Sequence, residues 1–218
     1  MLRLFPLTVI LAIAAAAPAL AASDRDRTVC FSLGSDAYKF DDKIEPSIRA
    51  CTRMIESGDF KDKYLASIYR SRASWKEKKG AYDAALEDYN VSIRMEPDNV
   101  EGYDYRADVY QDLGDLDKAL ADYGRATEID PKYASAYYSR GRIYEKKGEI
   151  ERARAEYNAT LALPTRNRIA KWAQDNARKR LDELDEARNR SRGDDRRQPR
   201  EDEPRSRADG DKGGGGAR

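Results

Sequence analysis

The chain has 218 residues, 37% of them charged, yet its formal net charge is only +1. That balance excludes a general electrostatic nucleic-acid binder, which needs a basic surplus to displace counterions. The chain contains no histidine, so neither a histidine-based nucleophilic triad nor a histidine-containing zinc site can be built; the expectation is a non-enzyme, with no cofactor and no metal.

In chain order, Arg3 precedes an almost wholly apolar run from Leu4 to Ala17, followed by Pro18 and the small residues of Ala19-Leu20-Ala21. This three-part layout predicts a secretory signal over 1–21, cleaved after Ala21. A periplasmic or secreted protein follows, free of the membrane once the signal is removed. The apolar run also approaches spanning length, which leaves an uncleaved anchor as the alternative. Cys30 and Cys51 both fall beyond the signal. In an oxidising compartment two cysteines are expected to pair, with two buried thiols as the alternative reading. A bridge closing so short a loop contributes about 3 kcal/mol on the chain-entropy account.

Ile44 to Ser57 reads as an amphipathic helix through Ile44, Ile48, Cys51 and Ile55, with Gly58 placed to end it. From Ala66 to Asn167 the chain then repeats. Tyr69, Tyr103 and Tyr137 stand 34 residues apart, as do Ala73, Ala107 and Gly141, and Gly80, Gly114 and Gly148. Tyr82, Leu116 and Ile150 follow the same spacing, with Ala85, Ala119 and Ala153, and Tyr89, Tyr123 and Tyr157. Pro97 and Pro131 close two copies, and Pro164 arrives one residue early in the third. Such a period marks stacked helical hairpins.

Each residue type has a mechanical role. Ala73, Ala107 and Gly141 let paired helices approach, and Ala85, Ala119 and Ala153 stand where the second helix crosses the first. The three glycines end the first helix, where a left-handed cap tolerates no Cβ. Tyr89, Tyr123 and Tyr157 fill the space between hairpins, and the prolines stop the second helix.

These residues resemble the tetratricopeptide repeat (TPR) over about half of the chain. The resemblance implies an all-α solenoid, a right-handed superhelix of helical hairpins, with repeats at 66–99, 100–133 and 134–167. Residues 22–65 are then an N-terminal cap or degenerate repeat whose first helix is missing or reduced. Ile169, Trp172, Ala173, Ala177, Leu181 and Leu184 form a helical stripe that predicts a capping helix at 168–188. Residues 189–218 lose their hydrophobes and are expected to be a disordered charged tail. Two features depart from the family. Arg72, Arg106 and Arg140 occupy an offset that is often apolar, and Lys76 replaces the aromatic seen at Tyr110 and Tyr144. The neighbouring Trp75 is expected to supply the missing bulk.

Family resemblance places ligands in a concave groove lined by the first helix of each hairpin. Carried over by offset, the groove-facing positions include Glu77, Gln111, Glu145 and Lys146, and the candidates for binding are Arg70, Glu101, Asp104, Asp108, Asp112, Tyr138 and Arg142. Glu101, Asp104, Asp108 and Asp112 share one helix face, an acidic stripe suited to a basic protein or peptide partner. The alternative is internal neutralisation of Asp104 and Asp108 by Arg70 and Arg142. Arg70, Ser74, Asp104, Asp108, Ser135 and Ser139 do not reproduce the lysine-asparagine clamp with which one subfamily grips chaperone C-termini. The resulting expectation is an exported, non-enzymatic scaffold that holds a peptide or protein. A self-associating envelope protein whose tail contacts polyanions is the competing reading.

Overall fold

The computed structural model describes residues 23–32 and 41–195, and every regular element within them is an α-helix. The expected signal (1–21) and the expected tail from 196 onward lie outside the described residues. Among the described residues no helix is long and apolar enough to cross a membrane.

Three hairpins form the centre: α3 (Asp62–Lys78) with α4 (Tyr82–Met95), α5 (Val100–Asp112) with α6 (Leu116–Ile129), and α7 (Ala134–Lys146) with α8 (Ile150–Ala162). Their turns have a common construction. Gly80, Gly114 and Gly148 take φ of 78°, 80° and 77°, the left-handed region open to glycine. The next residue folds its N–H back onto the last helical turn: Ala81 to the Lys76 carbonyl (2.9 Å), Asp115 to Tyr110 (2.8 Å) and Glu149 to Tyr144 (2.8 Å). Orphan carbonyls are thereby satisfied and the chain reverses at the same point in each copy.

Tyr89, Tyr123 and Tyr157 are fully buried. Tyr123 packs on Ala107 of its own hairpin and on Ala136 and Ile143 of the next, and Tyr89 packs on Ala73 and on Val109 of α5. One ring therefore ties two helices of a hairpin together and joins that hairpin to its neighbour.

Two short-range expectations shift at the N-terminal end. The helix predicted from Ile44 to Ser57 is α2, Asp41–Glu56, and the reduced helix before it is α1, Asp24–Cys30. A disulfide joins Cys30 to Cys51, with Cα atoms 5.0 Å apart. Trp75 does not substitute for the aromatic missing at Lys76. Its ring turns toward this cap, packing with Cys30, Cys51, Met54 and Ile68, and its Nε1 donates to the Cys30 carbonyl at 2.9 Å. Lys76 instead pairs with Asp88 at 2.7 Å. Adjacent positions on a helix point about 100° apart, so the tryptophan and the lysine serve different neighbours.

At the other end α9 runs from Arg168 to Asp195, so residues 189–195, expected to lack structure, are helical. These seven residues continue a helix already formed and packed through Leu184, and adding residues to an existing helix avoids the nucleation cost. The packing face of α9 is also rotated from the predicted stripe. Ala170, Ala173 and Ala177 are buried against α7 and α8, flanked by Leu181 and Leu184. Ile169 and Trp172 are 54% and 52% exposed. Small alanines let α9 come close, and the bulky residues of the stripe are left on its adjoining face.

Candidate functional site

The first helices α3, α5 and α7 neighbour one another in sequence order, and α9 lies against α7 at the end of the row. Along this row the buried tyrosines of the second helices push their hydroxyls through to carboxylates of the first. Tyr89 Oη donates to Glu77 and meets Ser74, both at 2.9 Å. Tyr123 Oη donates to Asp108 at 2.5 Å, and Tyr157 Oη to Glu145 at 2.8 Å. A fourth tyrosine, Tyr133, reaches Asp104 at 2.9 Å from the turn before α7.

Burial sets the charge state of this row. Asp104 is only 4% exposed. Its carboxyl is pushed well above the ordinary range, first by burial and then by the neighbouring Asp108. Asp108 is raised too, chiefly by burial, with the Tyr123 hydrogen bond opposing. Glu77 is raised to about 7, by burial and then by Asp108 and Asp112, against the Tyr89 hydrogen bond. Glu145 goes the other way: burial works against its charge, but hydrogen bonds from Arg180 and Tyr157 carry it below the usual value.

The groove candidates therefore separate into distinct environments. Arg70 turns to Glu101 (3.1 Å) and Glu96 (3.7 Å), so its ion pairs are not the expected ones to Asp104 or Asp108. Arg142 is exposed. It acts on Asp108 only through space. Asp112 is exposed, and with Gln111, Tyr138, Arg142, Lys146 and Arg180 it lines an open cleft of about 680 Å³ between α5, α7 and α9. Tyr138 is covered edge-on by Trp172, with ring centroids 5.2 Å apart. Arg180 Nε reaches Glu145 at 3.1 Å. Three residues that matter here were not among the candidates: Tyr133, Trp172 and Arg180. Glu77 and Glu145 stand two periods of 34 apart, a signal present in the repeat; the contributions of α9 have no counterpart within a repeat.

Against known families, a TPR-repeat model matches residues 107–148 and a tetratricopeptide-repeat model matches residues 134–163. The chain carries tetratricopeptide repeats. No curated protein matches it. Among solved structures, MamA is 21% identical, covering 65% of this chain and 75% of its own, with a TM-score of 0.51, a likeness of fold. Looser likenesses are the first TPR of Spaghetti (RPAP3), bound to the HSP90 peptide SRMEEVD, and the Arabidopsis OM64 TPR domain. Both are 25% identical with a TM-score of 0.47, covering 55% and 54% of this chain and 95% and 98% of theirs.

The arginines that depart from the TPR pattern form a ladder across the hairpins. Arg72 grips Asp88 with two bonds of 2.8 Å and donates to Thr52. Arg106 grips Asp122 with two of 2.7 Å and donates to Asn90, and Arg140 reaches Glu156 and Thr127. Each guanidinium also stands over the tyrosine three residues earlier, Tyr69, Tyr103 or Tyr137. Every TPR hairpin of this chain is thus joined to the preceding unit by a charge-assisted bond where apolar packing is usual.

Proposed function

We propose that this TPR protein is a non-catalytic scaffold in the periplasm or outside the cell. In this reading it holds a segment of another protein along the row of first helices, with α9 as the end wall. The observation that carries it is the open cleft between α5, α7 and α9. There Tyr138 lines the wall beside the charged Asp112, Arg142 and Lys146, and the half-exposed Trp172, edge-on against Tyr138, extends the apolar area past the rim of the cleft. Aromatic anchors within a charged rim are what a peptide-binding surface needs. The acidic side chains of α5 favour a basic segment of that partner. Export follows from the signal layout at 1–21, and the disulfide suits an oxidising compartment.

The test is crosslinked capture from the exported fraction, followed by affinity measurement with the captured protein. Trp172→Ala, at a half-exposed position, is expected to weaken binding by about tenfold, about 1.4 kcal/mol, or more, at an unaltered melting temperature. Undiminished affinity in that variant overturns the reading. Concentration-dependent oligomers that survive it favour the self-assembling alternative. Mass spectrometry of the same fraction is expected to show an N-terminus near Ala22; an intact Met1 supports an anchor.

A further inference from the structure

Among the described residues, two sets of buried or half-buried carboxylates contrast. Asp26, Asp88, Asp122, Glu156 and Glu145 each have an arginine partner, namely Arg53, Arg72, Arg106, Arg140 and Arg180. Glu77, Asp104 and Asp108 accept only from the hydroxyls of Tyr89, Tyr133 and Tyr123. Asp104, 4% exposed, keeps one oxygen, Oδ1, with no protein partner at all. Among the described residues the fold thus supplies guanidinium groups to its other buried acids, Glu145 at the α9 end of the row included, and leaves Glu77, Asp104 and Asp108 with hydroxyls alone.

We propose that Glu77, Asp104 and Asp108, with Asp112 beside them, receive one organic cation from the bound segment, a lysine ammonium or an arginine guanidinium, and that its arrival expels protons from the row. This deepens the scaffold reading and rests on it. An incoming cation supplies the counter-charge that the fold provides to its other buried acids, and Asp104 Oδ1 is an acceptor already held without a donor. Among the described residues no three carboxylates converge tightly enough to hold a metal ion, which leaves a larger, hydrogen-bonding cation as the fitting occupant.

The proton linkage follows from the neighbours. Facing the row are Lys78 on α3, Glu101, Tyr105 and Asp112 on α5, Arg142 on α7, and the four tyrosine and serine hydroxyls already named. Arg70 is engaged by Glu96 and Glu101. Burial and mutual repulsion raise the proton affinity of the row, Glu77 to about 7. A bound cation favours the charged carboxylates and lowers that affinity, so protons leave on binding. Affinity therefore rises as pH climbs through about 7 and levels off once the row is ionised.

The experiment uses the full mature chain and pentalysine as the probe, with calorimetry near neutral pH in buffers of different ionisation enthalpy. The expected result is net release of about half a proton or more per peptide bound, disappearing at alkaline pH. Asp104→Asn with Asp108→Asn is expected to reduce the release to what Glu77 alone contributes and to weaken pentalysine by about tenfold. Binding without proton exchange, absence of binding, or an unaffected double variant overturns the subsite. If the double variant does not fold, carbon NMR of the wild-type carboxyl groups decides: titration midpoints of Glu77, Asp104 and Asp108 must fall when pentalysine is added, and unmoved midpoints overturn the proposal. These outcomes leave the scaffold reading standing, because that reading is decided separately by the Trp172 variant.

Discussion

At Gly141 the third hairpin differs from the other two by one methyl group. Ala73 and Ala107 occupy its offset and are buried beneath Tyr89 and Tyr123. A Cβ built on Gly141 would stand 2.5 Å from Tyr157 Cε1 and 2.7 Å from Cδ1, closer than non-bonded carbons tolerate. The ring cannot retreat freely, because its hydroxyl is held by Glu145. Gly141→Ala is therefore expected to destabilise by about 1–3 kcal/mol, the range for overpacking a core, measured by urea denaturation. An unchanged midpoint would show that Tyr157 has room to move. Charge at single residues gives a second prediction with a definite sign. Glu77 is raised from 4.5 to about 7 on folding. Its protonated form is favoured in the fold, so its contribution is full below the unfolded value and is lost as pH rises through about 7. The melting temperature of the wild type is thus expected to fall more between mildly acidic and mildly alkaline pH than that of Glu77→Gln. Asp26 has the opposite sign: Arg53 holds it down to about 2, so its contribution is present above the ordinary value and lost only in strong acid.

Between elements, the arginine ladder is the feature that separates these hairpins from apolar-packed ones. The Arg106 side chain is 18% exposed and that of Asp122 10%, so both charges are largely out of water. Replacing Arg106 by leucine leaves Asp122 buried without a counter-charge, an expected loss of about 3–5 kcal/mol. Leucine at both positions removes the stranded charge and is expected to recover most of that loss. A double-mutant cycle by chemical denaturation reads the coupling; equal effects in the single and double variants would mean the pair is solvated. The arginines at 72, 106 and 140 were visible as departures from the family pattern. Their partners Asp88, Asp122 and Glu156 also repeat every 34 residues, but nothing in either row states that a residue meets another 16 positions later. That pairing depends on the turn between α-helices and on how closely the alanines let them approach.

On the scale of the whole molecule, α9 closes one end of the stack and α1 with α2 close the other. Alanines 170, 173 and 177 cover Tyr157, Ala153 and Tyr138, so a chain ending at Asn167 would leave that cluster facing water. Terminal units of stacked repeats need such a cover. The truncated protein is expected to melt well below the full chain and to bind a hydrophobic dye, read by thermal fluorescence. Retention of the full melting temperature without dye binding would show that α9 is not part of the core. The same helix supplies Arg180 to the proposed binding cleft and sets Trp172 edge-on against Tyr138, so it has two duties on two faces. A stripe read from spacing alone merged those faces, placing Ile169 and Trp172 with the alanines.

The sequence by itself determined the repeat, its period, the glycines that reverse the chain and the cysteines that pair. Those features are local or periodic: a left-handed turn, a helical face or a 34-residue register is written in the residues that form it. Only the tertiary structure decided which acids of the stripe keep their charge. Asp104 meets Tyr133 from 29 residues away and Glu145 meets Arg180 from 35, and it decided equally that Arg70 pairs with Glu96 and Glu101. Proton affinity depends on burial and on the neighbours that other helices bring. The spacing of one helix fixes the side from which a carboxylate projects, and the surrounding helices fix whether it meets water, a hydroxyl or a guanidinium.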